Sequence, residues 1–293
     1  MIAEQPLLAL LVERLAVPLW QAAFAILVPL PFFALLAFIV KGRRLFGEVR
    51  RALPEIRINL QIHFLDAVFV APFLVALTLA LSALFRAHEL ALVPAEVWEG
   101  LPPVVVGLVA VFLGDFIGYW RHRLEHAPIF WPSHAIHHSD TAMTWLAISR
   151  FHPVNRLTTT LLDFSFLLLL GLPAFALLVN AFVRHFYGAF IHADLPWTYG
   201  PLKHAFVSPA MHRWHHAMDP AAYNTNYATV FSVFDKAFGT FRVPGACDIP
   251  LGVSEKMGAG LVGQMLHPFR PSSYRFLVQQ PVGAAAAGAS REG

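Results

Sequence analysis

The sequence predicts an all-α integral membrane protein, with about three transmembrane helices plus a bent apolar hairpin and a cytosol-facing helical cap rich in histidine. Three observations carry that fold class. Hydrophobic residues make up 57% of the chain and charged residues only 13%, against roughly 25% charged in soluble domains. The basic residues flank apolar runs instead of forming a patch of their own, as membrane topology requires. Most of the 15 histidines lie between His122 and His216, in clusters at helical spacing. With its basic residues so placed, a net charge of +3 gives no reason to expect nucleic acid as a partner. The lone Cys247 excludes an intrachain disulfide framework and any cysteine-rich metal site.

Taken in order, residues 1–16 lack a basic leading region, and Glu13-Arg14 interrupts the apolar run Leu7–Val12. An uncleaved membrane-integral chain is expected rather than a signal peptide. Pro18–Val40 is uncharged and long enough to cross a bilayer, for which about 20 apolar residues suffice. It ends at Lys41-Gly-Arg43-Arg44, with Arg50-Arg51 close behind. A second span is expected over Leu65–Phe85, with Asp66 near its mouth, and a third over Leu101–Tyr119, which contains Asp115. The connector Arg86–Gly100 carries Glu89, Glu96 and Glu99. Basic residues concentrate in 41–62 and 121–156, so both segments are expected to be cytoplasmic loops. The chain thus divides into 1–64 (a membrane helix and basic loop), 65–241 (a membrane domain with the histidine clusters) and 242–293. The last is a cytoplasmic tail, Gly/Ala-rich from Pro281 and expected to be disordered there.

The apolar stretch Leu157–Val183 poses the main topological question. A single crossing would carry His185, His192 and the last cluster away from the first two, and no metal site could be shared. Gly171-Leu-Pro173 lies near its middle, and proline breaks or kinks a helix. A bent hairpin that returns to its starting face is therefore expected; the alternative is one kinked crossing.

The clusters are His122-Arg-Leu-Glu-His126, His134-Ala-Ile-His137-His138 and His212-Arg-Trp-His215-His216. Spacings of three and four place side chains on one helical face. Ser208-Pro209 reads as the start of the helix bearing the third cluster, with Asp219-Pro220 beyond its end, and Ser133 as the cap of the second. Neutral imidazoles suit iron, zinc, copper or nickel, and eight of them exceed what one ion takes. Two iron ions, with dioxygen as co-substrate, are the first choice; two zinc ions without redox catalysis are the alternative. No HExxH is present, which speaks against a zincin protease. Haem-bearing electron carriers place paired histidines deep in facing spans, and these lie outside the spans. A non-catalytic metal-binding scaffold or transporter is the remaining rival.

The segments HRLEH, HAIHH and HRWHH resemble the histidine boxes of the fatty acid hydroxylase/sterol desaturase superfamily of membrane di-iron oxygenases. Asp115-Phe-Ile-Gly-Tyr119-Trp120-Arg121, Arg150-Phe151-His152-Pro153, Phe190-Ile191-His192-Ala193-Asp194 and Asn226-Tyr227…Asp235-Lys-Ala-Phe238-Gly239-Thr240 extend the likeness over roughly 65–241. It departs from the family at Ala228, where glycine is frequent, and at Phe234, where tryptophan is. The resemblance implies a cytosol-facing di-iron centre that uses dioxygen and two electrons to hydroxylate or desaturate a lipid, such as a sterol or fatty acyl chain. It implies His122, His126, His134, His137, His138, His212, His215 and His216 as ligands, His192 as a further one, and His185 more loosely. No cytochrome b5-like segment is fused in the sequence, so a separate ferredoxin- or cytochrome b5-like protein is expected to supply electrons.

Among the lesser residues, Asp115 within a span is costly unless paired, so it is read as functional, orienting a box histidine as carboxylates often do behind metal ligands. Asp235 is read as holding His215 or His216. His152 is expected to be structural, and His63, His88, His204 and His267 to be interfacial or at the surface.

Overall fold

The computed structural model describes residues 7–258 and 260–274, with side chains from residue 14 onward. The expected disorder from Pro281 lies outside the described residues. Among these the chain is helical, with one isolated bridge between Ala217 and Leu251. Among the described residues, four segments are long and apolar enough to cross a membrane: Arg14–Lys41, Arg44–Ala87, Pro103–Glu125 and Ala174–Ile191.

The first apolar segment is not one straight rod. Helix α1 (Leu7–Leu27) turns at Val28-Pro29 into α2 (Leu30–Lys41), since proline lacks the amide that would continue the ladder. Then comes a correction to the expected basic loop at 41–62. Helix α3 (Arg44–Leu65) runs through a π-helical turn at Asp66–Val70 into α4 (Ala71–Ala87), giving a continuous helix of 44 residues, about 66 Å long. Arginine and glutamate are good helix formers, and the segment also has partners for one face. Asn59 donates to Asp140 at 2.8 Å, Glu55 pairs with Arg150, and Ile62 packs with Ala135 and Ile136. A boundary at 64/65 would cut this helix, and its first half is built into the histidine cap.

After a short α5 (Ala95–Glu99), α6 (Pro103–Glu125) forms the central pillar. Helix α7 (Trp131–His138) follows, then a one-turn 3-10 segment at Trp145–Ser149. The apolar stretch is a hairpin. Helix α8 (Pro153–Thr158), a π-helical turn at Thr159–Phe164 and α9 (Ser165–Leu169) form one descending rod, and α10 (Ala174–Ile191) returns. Gly171 makes the turn at φ +66°, where a Cβ would come within 2.3 Å of the Val93 carbonyl; only glycine fits both constraints. The Leu92 amide donates to the Leu169 carbonyl at 2.7 Å and the Trp98 indole to the Leu170 carbonyl at 3.0 Å. The turn therefore lies beside the connector between α4 and α6, at the end of the molecule far from the histidines. Each arm, at about 26 Å, goes as deep as its neighbours.

Helix α10 packs on α6 more closely than on any other element. Gly114 and Gly118 permit this, because a Cβ at Gly118 would meet the Arg184 guanidinium at 1.9 Å and one at Gly114 the Asn180 amide at 2.1 Å. Val106, Ala110, Leu167, Leu172 and Ala176 fill the lower interface. Above it α11 (Pro209–His215) and α12 (Val233–Ala237) pack around Tyr119, Ile191, Met211 and Tyr227. Residues 242–274, including α13 (Gly260–Met265), wrap the cap: Val243 joins the Tyr119 cluster, Met257 packs with Ile136, and the Gly252 amide donates to the His216 carbonyl at 3.3 Å.

Candidate metal centre

The histidines sit where helices meet the cap. His122 lies in the last turn of α6 and His126 caps it; Pro128 two residues on disfavours further helix at Ala127. Helix α7 starts at Trp131, earlier than expected, with Pro132 in its first turn and Ser133 inside it donating to the Phe130 carbonyl at 2.7 Å. Ser208 does cap α11, accepting from the Met211 amide at 3.1 Å.

Nine imidazoles fall into two groups, His122, His126, His134, His138 and His215 in one and His137, His192, His212 and His216 in the other. The two HxxHH boxes each feed both groups. In α7 the i and i+4 residues, His134 and His138, join the five-histidine group and His137 the other; in α11 His212 and His216 join the four-histidine group and His215 the first. A helix turns by about 100° per residue, so adjacent histidines face different neighbours while i and i+4 share one. The groups abut, with the His138 and His216 rings stacked at 4.4 Å.

The nitrogen contacts point to cations. His122 Nδ1 lies 2.7 Å from the Tyr227 carbonyl and His215 Nδ1 2.6 Å from the Thr225 carbonyl. A carbonyl only accepts, so both Nδ1 atoms carry the proton and both Nε2 atoms bear lone pairs. Yet these two Nε2 atoms are 3.0 Å apart. Two acceptors face each other at that distance only with a positive centre between them. His134 Nε2 is also 3.0 Å from His122 Nε2. In the second group the Nε2 atoms of His212 and His192 are 2.9 Å apart, and those of His192 and His137, and of His216 and His212, 3.2 Å apart. With metal–nitrogen bonds of about 2.1 Å, ligands at right angles are about 3.0 Å apart and tetrahedral ones about 3.4 Å. His126 Nε2 and His138 Nε2 are buried without hydrogen-bond partners among the described residues, as ligand atoms reserved for an ion would be. Burial keeps the rings neutral: it holds His134, His137, His138, His212 and His216 well below the usual range, and His192 and His215 at about 4. Neutral imidazole is the ligand form.

Three other candidates stand elsewhere. His185 joins neither group; it shares a face of α10 with His192 but lies seven residues away, about 10.5 Å along the axis. Asp115 orients no histidine. It is fully buried and accepts from the amides of Thr229, Val230 and Phe231 at 3.1, 3.0 and 2.7 Å. Asp235 touches neither His215 nor His216; it accepts from the Tyr227 and Ala228 amides at 2.7 and 3.0 Å and from the Thr240 hydroxyl at 2.7 Å. Burial pushes its carboxyl up to about 6. Both acids fix the loop whose carbonyls orient His122 and His215, so they act on these imidazoles through backbone. His152 caps α8, accepting from the Val154 amide at 3.2 Å.

Sequence reasoning gave no role at the site to several residues around the rings. Phe151 stacks on His137 at 4.3 Å, and the fully buried Arg150 donates to the Ile136 carbonyl at 3.1 Å and to Ser139 at 2.9 Å, clamping the end of α7. Glu125 lies 3.3 Å from His134 Nδ1 and pairs with Arg121 at 2.8 Å; Arg121 in turn meets Asp163 at 2.8 Å, and Asp163 meets Arg184 at 2.9 Å. Asp163, the one acid within the apolar stretch 157–183, was the legible signal for this chain of charges, since an acid at such depth demands a partner.

Residues 107–240 match the fatty acid hydroxylase family. The chain is 34% identical over 174 residues to the ornithine lipid hydroxylase of Rhizobium tropici, covering 59% of this chain and 52% of that one. It is 31% identical over 169 residues to the alkylglycerol monooxygenase of Homo sapiens (57% and 35% covered) and 29% identical over 131 residues to a Delta(7)-sterol 5(6)-desaturase of Gibberella zeae (44% and 36%). It thus spans about half the length of the first of these relatives and less of the others. No solved structure matches. The matched segment contains all nine converging histidines, and over it the chain is similar to the fatty acid hydroxylase family.

Proposed function

We propose that this protein is a membrane di-iron oxidoreductase that uses dioxygen to hydroxylate or desaturate a lipid in lipid biosynthesis or modification. The observation that carries the reading is the pair of abutting imidazole groups, whose Nε2 lone pairs face each other at about 3 Å. The relatives, named as lipid hydroxylase, monooxygenase and sterol desaturase, supply the reaction class. Five donors in one group exceed the four of a structural zinc site, which favours iron over the di-zinc alternative. Two iron ions bound there would supply the activation of dioxygen that an unactivated C–H bond requires.

The chain's own residues do the rest. His122, His126, His134, His138 and His215 would hold one ion and His137, His192, His212 and His216 the other. Tyr227, Thr225 and Gly188 carbonyls fix the orientation of His122, His215 and His192. The buried surround keeps water from the site, which limits side reactions. Electrons come from a separate ferredoxin- or cytochrome b5-like protein. The cap faces the cytoplasm in this reading, because 88–102 and 170–173 at the far end contain no lysine or arginine whereas the cap is rich in both.

Metal analysis of detergent-purified protein tests the proposal: two iron per chain and an oxygen-dependent lipid product are expected. Two zinc, with no such product after iron loading, would overturn it.

A further inference from the structure

A cavity of about 410 Å3 lies under the cap, between α4, the 153–169 rod and α10; its size is that of a small-molecule site. Its roof is formed by Phe151 and Asn155. Phe151 stacks on His137, and the Asn155 amide is 3.4 Å from His134 Nδ1, so the cavity begins one residue below the metal groups. Phe164, Leu167 and Leu177 line its deep end, whereas Thr159, Thr160 and Asn180 line the rest.

Polar lining at this depth is costly unless something satisfies it. The arginines that border the cavity are taken by carboxylates: Arg121 by Asp163 and Glu125, Arg184 by Asp163, and Arg156 by Asp66 at 3.2 Å. Their charges are thereby matched, which leaves no net positive charge for a phosphate or a carboxylate. Besides Nε of Arg156 and of Arg184, the buried polar atoms of the lining without a hydrogen-bond partner among the described residues belong to amides. Asn180, 7% exposed, has an unpaired oxygen, and Asn155, 2% exposed, has one amide end on His134 and the other unpaired. The amide oxygens accept and the two Nε–H groups donate, so together they call for a neutral group that can both donate and accept.

We propose that this cavity binds the uncharged, hydrogen-bonding end of a lipid, one bearing hydroxyl or amide groups, with its alkyl chain toward Leu167 and Leu177. Resting on the lipid-oxidation reading, this places the oxidised carbons next to the polar group instead of at mid-chain.

The test uses full-length, metal-depleted protein in lipid nanodiscs and three radiolabelled probes: 1-O-dodecylglycerol, dodecyl phosphate and dodecane. Dodecylglycerol should bind at least tenfold tighter than the other two, and Asn180→Leu should weaken it about tenfold, as loss of one hydrogen bond does, with metal uptake unchanged. Equal binding of dodecyl phosphate or dodecane, or no effect of Asn180→Leu, would overturn the assignment. Should Asn180→Leu not fold, Thr160→Val on the same wall replaces it. Because binding is read without metal, absence of iron or turnover sinks only the oxidation reading. Iron and turnover without probe selectivity sink only this one.

Discussion

In the five-histidine group, His122 and His215 are held from behind by the Tyr227 and Thr225 carbonyls, and His134 faces Glu125. In the four-histidine group only His192 has such a partner, the Gly188 carbonyl of its own helix, while Nδ1 of His137, His212 and His216 is unpaired among the described residues. The first group is set by a loop that Asp115 and Asp235 fix to α6 and α12. The second is set by helix packing and by Phe151 stacked on His137. Similar imidazole groups can therefore rest on different supports, and two ions held as proposed should respond differently when the supports are removed.

The largest effect should follow loss of a ligand from either side. His122→Ala and His192→Ala are each expected to lower bound metal from two ions per chain to about one, read by elemental analysis of the purified protein. A ratio that stays at two would show that the mutated ring is not a ligand. Asp235→Asn should separate the groups more finely. It takes the charge from the acceptor that holds the Tyr227 and Ala228 amides and so loosens the carbonyls behind His122 and His215. Supporting residues of this kind typically affect affinity by about 10–100-fold. Chelator competition should show one weakened ion and one unchanged; two ions weakened alike would mean that the loop serves both groups.

Acid should distinguish the groups least. His215 in one and His192 in the other are both held at about 4 by burial, from an ordinary 6.5. Between those values the unfolded chain binds more protons than the native one, so stability falls as pH falls. The contribution is complete above about 6.5 and lost on the way to 4. Denaturation midpoints of metal-free protein at pH 7.5 and 5 should fall alike with His215→Gln or His192→Gln as background. A pH response abolished by only one of them would assign the effect to that group's hydrogen bonds and not to burial.

Much of the fold was legible because the cues are local. Apolar length fixed α6 and α10, and Gly171 with Pro173 marked the hairpin turn. The need for shared metals then argued that the chain returns. The depth of that hairpin was not legible, since the contacts of Leu169 and Leu170 with Leu92 and Trp98 join residues about 75 apart in sequence. Nor was the helicity of 44–65, whose basic residues read equally well as a loop until Asn59 and Glu55 find Asp140 and Arg150.

The sequence by itself determined which residue types are gathered and at what helical spacing, and so that i and i+4 histidines act together. Only the tertiary structure decided that His137 parts from His138 and His215 from His216, and that His192 enters a group while His185, seven residues away, does not. The reason is geometric. Ligation is settled over about 3 Å between nitrogen atoms, and that distance depends on how α6, α7, α10 and α11 approach one another, which glycines 114 and 118 and the loop held by Asp115 and Asp235 control.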